Sequence, residues 1–485
     1  MRPVRTALIG LGFSGQTFHL PFLKTLPEFE VSAVLTQREE LAQSLAPEAA
    51  HCRTMTELLQ QDIELVVITA PNVEHYPLAR QALEAGVHVL VEKPFTPESE
   101  QAKALCELAA QRNLVLSVYH NRRWDGDFLT VKSLLESGRL GDLYHFESHF
   151  DRFRPQVRDR WREKPGAGSG SLYDLGSHLI DQALCLFGPP KAVTAQALKQ
   201  RPGSEAVDYF HVVLDYAPLQ VILHGSALTA QPGPRFQLHG DRASYIKHGL
   251  DPQEDALRDG QVPDSANWGL EPEHCHGMVT DAEGSQAQAT QAGDYTLFYR
   301  QLAMAIRGEA DNPVPPKQAM QVIRIIELAQ QSCDEGRRIA FEELNQGYFM
   351  EVTGLDHINI TAPLALLESV RDFYLHVLAL RQGPRPSGFR RQGFWLYAGE
   401  APILHLTVSE TAACDSVATG HLDHVALRCR GLPETMRRLA EHDLSHSVEV
   451  VPGLGQTQIF LRDPSGLGVE LNFVDEFPQD ADQSA

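Results

Sequence analysis

A chain of 485 residues is too long for a single hydrophobic core, so two or three domains are expected. Its 42 Lys and Arg against 63 Asp and Glu leave a formal charge of −21, which argues against nucleic acid or an anionic membrane as a partner. No apolar run approaches the ~18 residues that span a bilayer. Met1-Arg2-Pro3 leads straight into a strand rather than a leader segment, and the seven scattered cysteines contain no C-x-x-C, so a soluble, cytoplasmic protein is expected.

From Val4 to about Tyr119, short apolar strands alternate with helical patterns. Val4–Ile9, Val31–Leu35, Leu65–Thr69, Val87–Val91 and Val115–Val118 read as strands, and Glu39–Leu45, Met55–Gln60, Pro77–Ala85 and Glu98–Gln111 as helices. This pattern predicts α/β architecture with a parallel, doubly wound sheet, a Rossmann-type dinucleotide domain over 1–121. A second α/β domain, an open sheet, is expected over 122–345. It would contain the helix Phe128–Ser137, the strand Tyr144–Phe150 and the helix Ser171–Leu186. Strands at Ala192–Leu198, Phe210–Tyr216, Gln220–Ala227 and Arg235–His239 follow, and the helix Pro316–Glu335 closes the domain. The polar stretch Asp251–Asp294 reads as long surface loops. After a linker at 346–353, Leu355-Asp356-His357-Ile358 recurs as Leu422-Asp423-His424-Val425, each ahead of a helix (Leu364–Val377 and Leu432–His442). Two copies of one unit sharing a core are therefore expected over 354–474, with a disordered acidic tail at 475–485.

Gly10-Leu11-Gly12-Phe13-Ser14-Gly15 follows the first strand, where glycines permit a tight turn and close approach of a pyrophosphate to a helix N-terminus. An NAD site would normally end its second strand in Asp or Glu. Here Thr36-Gln37-Arg38 stands there, so a 2′-phosphate is welcomed and NADP is expected; the alternative is NAD, with Glu39 or Glu40 reaching the ribose. Glu92-Lys93-Pro94 puts an ionisable lysine at the mouth of a buried strand, with a proline that forbids helix at the lysine. Asp174, His178 and Asp181 are spaced i, i+4 and i+7, one face of a helix, and a carboxylate beside an imidazole suits removal of a hydroxyl proton. A capped helix start is the competing account of that triplet.

Together these residues resemble the Gfo/Idh/MocA oxidoreductase family over about residues 4–341. The segments 120–125, 160–164, 173–178, 207–211 and 253–258 look like its NADP-dependent scyllo-inositol 2-dehydrogenase subgroup. The resemblance implies oxidation of a ring hydroxyl of a cyclic polyol or sugar. In it Lys93 holds the hydroxyl, His178 acts as acid/base and Asp174 positions substrate or the histidine. It also implies cofactor contacts from Gly10, Gly12, Phe13, Ser14, Gly15, Thr36, Arg38, Thr69, Asn72, His75, Glu92, Lys93, Asn121 and Trp161. A cis Lys93–Pro94 bond and a homo-oligomer, dimer or tetramer, are further implications.

In the third region His357 and His424 occupy equivalent repeat positions, with His405 and Glu470 on later strands. Histidines and a carboxylate on paired strands suit a divalent metal; histidines that are merely hydrogen-bonded are the alternative. This region resembles the vicinal oxygen chelate superfamily from about Gly354 to Phe473, in Phe373–Leu378, Phe394–Gly399, Asp463-Pro464-Ser465-Gly466 and Val469-Glu470-Leu471. That likeness implies an α+β domain of paired βαβββ modules. It leaves open glyoxalase-type isomerisation, lyase chemistry, ring-cleaving dioxygenation or ligand binding. A protein whose main activity is a metal-dependent reaction in this region is the runner-up reading, and a cofactor-dependent sensor a third.

Overall fold

The computed structural model describes residues 2–263, 267–341, 351–376, 380–385, 391–399, 401–409, 422–441, 444–451, 455–462, 468–474 and 476–477. Most of the linker expected at 346–353, the Asp463–Gly466 loop and most of the acidic tail lie outside these residues. The chain divides into two compact units, Met1–Glu343 and Leu344–Ala485, taken here separately. No helix among the described residues is long and apolar enough to cross a membrane.

The first unit opens with β1 (Val4–Ile9), a π-helical turn (Gly15–His19), α1 (Leu20–Thr25), β2 (Phe29–Leu35), α2 (Glu39–Leu45) and β3 (Ala50–Cys52). α3 (Met55–Leu59), β4 (Leu65–Ile68), α4 (Asn72–Glu84), β5 (His88–Val91), α5 (Ser99–Arg112) and β6 (Leu116–Val118) follow. The six strands form one sheet in the order β3-β2-β1-β4-β5-β6, every pair parallel. β4 and β6 are buried along their whole length, which is why they read as unbroken apolar runs. The order reverses direction beside β1, so the crevice at its C-terminal end is the expected ligand position. β3 has no strand signal in the sequence because it is three residues long. α4 begins at Asn72, five residues before Pro77, which lies inside the helix.

Next come α6 (Gly126–Glu136), β7 (Leu143–His149), a second π-helical turn (Leu172–Gly176), α7 (Ser177–Phe187) and β8 (Ala192–Leu198). β9 (Tyr209–Asp215), β10 (Gln220–Ser226), β11 (Phe236–Gly240), β12 (Ser244–Lys247) and α8 (Gln253–Arg258) lead to the hairpin β13 (Gly277–Asp281) and β14 (Gly284–Gln288). α9 (Thr296–Ile306), α10 (Pro316–Glu335) and β15 (Ile339–Ala340) end the unit. These strands make a nine-stranded sheet, β14-β13-β12-β11-β7-β10-β9-β8-β15, antiparallel except for β7 with β10.

The stretch Asp251–Asp294 is therefore not a set of surface loops. It contributes a helix and two strands, and two of its polar residues, Asp251 and Gln253, are buried because each finds partners. Asp251 Oδ2 accepts from Gly126 N–H at 2.7 Å, and Gln253 Nε2 donates to the Trp124 carbonyl at 3.1 Å. Gln253 Oε1 accepts from Trp268 Nε1 at 2.9 Å and Tyr295 N–H at 2.8 Å. Polar composition misled the sequence reading, since buried hydrogen-bonded groups look like solvated ones in a sequence.

An aromatic cluster joins α1 to α9. The Phe22 and Tyr299 rings stack at 4.9 Å and 13°, and Tyr299 Oη donates to the Phe18 carbonyl at 2.8 Å. Tyr119 and Phe298 pack edge-on beside them at 5.1 Å.

The second unit repeats one order of elements. β16 (Glu351–Ala362), α11 (Leu364–His376), β17 (Arg381–Gly383), β18 (Gly393–Ala398) and β19 (Ala401–Val408) are followed by β20 (Leu422–Arg430), α12 (Leu432–Glu441), β21 (His446–Val451), β22 (Gln456–Arg462) and β23 (Gly468–Val474). Each half is βαβββ, and the two join through the antiparallel pair β16–β20 in an eight-stranded sheet. The halves share that sheet rather than a core: Leu367, Leu396, Leu404 and Leu406 form one apolar cluster, and Leu432, Ile459, Leu471 and Phe473 another. The expectation of a common core is corrected, because each helix buries its apolar stripe against its own half.

Phe22 is fully buried, so Phe22→Ala is expected to remove about 3–5 kcal/mol of stability. A melting temperature within a degree of the wild type, by calorimetry, would contradict the tie between α1 and α9.

Candidate active site

The turn after β1 depends on its glycines. Gly10 has φ +91°, and a Cβ on Gly15 would sit 2.4 Å from the Gly10 carbonyl oxygen. A Cβ on Gly12 meets nothing within 4 Å, which leaves open space at the start of the helix where a pyrophosphate fits. Thr69 Oγ1 holds the turn from β4, 2.9 Å from the Ile9 carbonyl and 2.8 Å from that of Gly10. Beyond β2, Arg38 donates from its guanidinium to the Leu11 carbonyl, and its N–H donates to Thr36 Oγ1 at 3.2 Å. Glu39 is engaged by Arg53 at 2.7 Å, and Glu40 is exposed.

Glu92, at the end of β5, is buried. Its Oε1 accepts from Ser14 Oγ and faces His19 Nε2 at 3.1 Å, while Oε2 accepts from Lys93 N–H at 2.8 Å. Burial opposes its ionisation, but His19, Lys93 and Ser14 outweigh burial and pull its pKa down to about 2. The Lys93–Pro94 bond is cis. Lys93 Nζ donates to the Asp174 carbonyl at 2.7 Å and to Asp174 Oδ1 at 3.1 Å. Burial lowers the Lys93 pKa, with Asp174 pulling the other way. Burial likewise opposes the Asp174 charge, yet Lys93, Arg162 and Arg152 hold that carboxyl far below the usual range.

His178 is buried on α7, and its Nδ1 has no hydrogen-bond partner among the described residues. Burial first, then Lys93 and Arg122, hold its pKa well below that of an ordinary histidine, so the ring is neutral. Asp181 does not join this group: its carboxylate takes two hydrogen bonds from Arg123, at 2.9 and 2.6 Å. The one-face reading of Asp174, His178 and Asp181 is corrected here, because the first turn is π-helical and Asp174 pairs with Lys93.

Lys93, Asp174 and His178 border one cavity of ≈ 310 Å³ that also touches Phe13, Ser14, Glu92 and Asn121. Several expected cofactor residues have internal partners instead. Both ring nitrogens of His75 face main-chain carbonyls, Pro94 at 2.9 Å and Ala70 at 3.0 Å, and Asn72 Nδ2 donates to the Gly168 carbonyl at 2.9 Å. They brace the segments that carry Lys93 and Asp174. Thr36 is buried, and half-exposed Trp161 lies under the Arg162 guanidinium at 5.1 Å.

The second unit has its own donor cluster. His424 Nε2 lies 2.8 Å from Glu470 Oε2 and 3.4 Å from His357 Nε2, and His357 Nε2 lies 3.8 Å from Glu470 Oε2. The Leu-Asp-His repeat supplies each histidine with an adjacent carboxylate on Nδ1: Asp356 at 3.3 Å and Asp423 at 3.0 Å. Glu470 Oε1 accepts from Gln458 and Asn472, both at 2.7 Å. His405 does not converge with these donors. It stacks between Trp395 (3.9 Å) and His357 (3.8 Å), its Nε2 has no hydrogen-bond partner among the described residues, and burial pushes its pKa down to about 3. The converging set is His357, His424 and Glu470.

Residues 4–120 match the description "Oxidoreductase family, NAD-binding Rossmann fold" and residues 132–341 the description "Oxidoreductase family, C-terminal alpha/beta domain" of the GFO_IDH_MocA family. The chain is 43% identical over 344 residues to scyllo-inositol 2-dehydrogenase (NADP(+)) IolW of Bacillus subtilis (strain 168), covering 70% of this chain and 96% of IolW. The chain belongs to the Gfo/Idh/MocA oxidoreductase family.

The oxidoreductase YdgJ of Escherichia coli is 45% identical over 334 residues, 68% of this chain and 96% of YdgJ. The solved structure of oxidoreductase yvaA from Bacillus subtilis superposes with a TM-score of 0.69 at 42% identity, covering 70% of this chain and 99% of that one. An oxidoreductase structure from Klebsiella pneumoniae gives 0.66 at 41%, with 71% and 97% covered. The first unit is thus a Rossmann domain with an α/β sheet domain, and the protein is an NAD(P)-dependent dehydrogenase acting on CH–OH groups.

The sequence reading missed the cations of this Gfo/Idh/MocA cavity. Arg122 pairs with Asp125 at 3.2 Å and with Glu254, and Arg152, Arg154 and Arg258 also line it. The Arg152-Phe153-Arg154 spacing, two arginines on one side of an extended segment, was the available signal.

Glu92 generates a prediction with a defined sign. Its folded pKa is depressed, so its contribution is complete above about 4.5 and is lost as pH falls from there toward 2. Melting curves should show the wild type losing more stability than Glu92→Gln across that window; parallel curves would count against the assignment. Gly15→Ala, whose Cβ would collide with Gly10, should weaken dinucleotide binding at least tenfold by fluorescence titration.

Proposed function

We propose that the protein is an NADP-dependent dehydrogenase that oxidises a ring hydroxyl of a cyclic polyol or sugar, scyllo-inositol-like, to the ketone, or runs the reverse reduction. The observation that carries this reading is the Lys93–Asp174 pair beside neutral His178 in one cavity with the glycine turn. When bound, NADP supplies the hydride acceptor at its nicotinamide ring. Gly10, Gly12 and Gly15 shape its pyrophosphate site, Arg38 meets the 2′-phosphate, and Phe13, Ser14, Thr36, Thr69, Asn72, His75, Glu92, Asn121 and Trp161 form or brace the pocket. Two of the three Lys93 N–H bonds are committed to Asp174, so the third holds the substrate oxygen. His178, neutral and lacking a partner on Nδ1, accepts the hydroxyl proton and returns it in the reverse direction. Asp174 keeps Lys93 charged and aimed. The NADP-dependent activity named for IolW supports the cofactor, as do engaged Glu39 and the position of Arg38.

For the second unit we propose a vicinal oxygen chelate domain over 354–474, joined through 346–353 to a dehydrogenase partitioned at about residue 121. The paired βαβββ halves support it. His357, His424 and Glu470 fit a divalent cation, since two imidazoles and a carboxylate are a facial donor set and each Nδ1 faces a carboxylate that directs Nε2 outward. Such an ion would act there as a Lewis acid.

Lys93→Ala and His178→Ala should each lower kcat about 10²–10⁴-fold in initial-rate assays with inositols and aldoses, with NADPH affinity changed less than threefold. Near-normal turnover in either variant would overturn the roles. Arg38→Ala should cut kcat/KM for NADP about tenfold or more and leave that for NAD unchanged. Elemental analysis should find about one divalent ion per chain, absent from His424→Ala and Glu470→Gln; a metal-free wild type removes the second proposal.

A further inference from the structure

Eight cationic side chains border the active-site cavity, against three carboxylates, in a chain whose net charge is −21. Most have partners: Arg122 and Arg258 share Glu254, Arg160 takes Glu163, and Lys93 takes Asp174. Among the described residues no carboxylate lies within ion-pair distance of the Arg158, Arg152 or Arg154 guanidinium; Arg158 is exposed, whereas Arg152, over the Phe150 ring at 5.1 Å, and Arg154 are half-buried. Their main chains are fixed by hydrogen bonds from Arg152 N to the Ser226 carbonyl at 2.9 Å and from Arg154 N to the Ala227 carbonyl at 2.7 Å. Burial costs Arg152 enough to bring its pKa down to about 10. Burial first, then the neighbouring guanidiniums of Arg158 and Arg160, also lower that of Arg154.

Arg152 and Arg154, with Arg160, Arg162 and Arg201, also border a small recess beside Asp174, whose other carboxylates, Glu163 and Asp208, are held by Arg160 and Arg201. Every residue bordering it belongs to the second half of this unit; Phe13, Ser14 and Glu92, on the glycine-turn side, do not. The recess thus lies off the glycine turn, so the phosphates of a dinucleotide seated on that turn and at Arg38 would not fill it. The recess measures ≈ 50 Å³. At about 10–15 Å³ for each water it takes roughly four heavy atoms, the size of a phosphate or carboxylate group. Guanidiniums suit such oxyanions because their fork matches two oxygens at once.

We infer that the substrate carries an anionic group, a phosphate or carboxylate, which Arg152 and Arg154 bind in this recess while a ring hydroxyl meets Lys93 and His178. This rests on the polyol dehydrogenase reading above and narrows its substrate to an acidic cyclic polyol or sugar.

Inorganic phosphate titrated into the full-length, NADP-saturated protein tests the recess without turnover. Calorimetry should give saturable binding of one equivalent, lost in Arg152→Gln and Arg154→Gln variants that keep the wild-type melting temperature. In rate assays with NADP, a cyclic polyol monophosphate and a hexuronate are compared with their neutral parents. Whichever anion the recess takes should exceed its parent at least tenfold in kcat/KM, through KM, and the two arginine variants should bring that ratio close to one. Equal kcat/KM for acidic and neutral substrates, or phosphate binding that NADP abolishes, overturns the anionic subsite and leaves the dehydrogenase reading standing. Phosphate binding to the NADP-saturated protein with no polyol turned over supports the subsite and defeats the polyol reading instead.

Discussion

A half-buried lysine is tolerable only if its charge is answered, and the answer to Lys93 comes from 81 residues away. Asp174 meets Nζ with both its carbonyl and its carboxylate. Each offsets the other's loss of water, since a charge shielded from solvent is costly without its partner. The pair therefore fixes where the helix carrying His178 stands relative to the end of β5. Glu92, one residue before the lysine, does the same for the glycine turn through Ser14 and His19. Two adjacent residues thus register three separate segments around one cavity.

That registration explains why the site is polar and still ordered. The groups behind it are satisfied in layers: His75 between two carbonyls, Asn72 on Gly168, Asp181 on Arg123, Gln253 on Trp124. Buried polar networks hold one arrangement when every member has a partner. Against this background the guanidiniums of Arg152 and Arg154, without a carboxylate partner among the described residues, stand out on the cavity wall as positions where a ligand belongs. The second unit follows the same logic on a smaller scale. Asp356, Asp423, Gln458 and Asn472 orient the histidines and Glu470, so the free donor atoms face one another.

Much of this was legible in the residues. The apolar strands, the glycine turn, the Lys93 signal and the Leu-Asp-His repeat are local patterns, set by burial, backbone sterics and duplication, and each places an element without knowledge of its neighbours. The helices Glu39–Leu45 and Pro316–Glu335 stand where their periodicity put them. Asp251–Asp294 was not legible, because its anchors Asp251 and Gln253 are buried by partners as far away as Gly126 and Trp124.

Sequence alone determined which residue types the chemistry draws on: a dinucleotide turn, a lysine, a histidine and carboxylates, and two histidines with a glutamate in the repeat. Tertiary structure decided which of them meet. It paired Asp174 with Lys93 rather than with His178 and gave Asp181 to Arg123. It set His405 aside from the converging donors and gathered arginines from separate segments around one cavity. The reason is physical: a side chain's type is local, but its charge state and its free valences depend on what the fold packs against it.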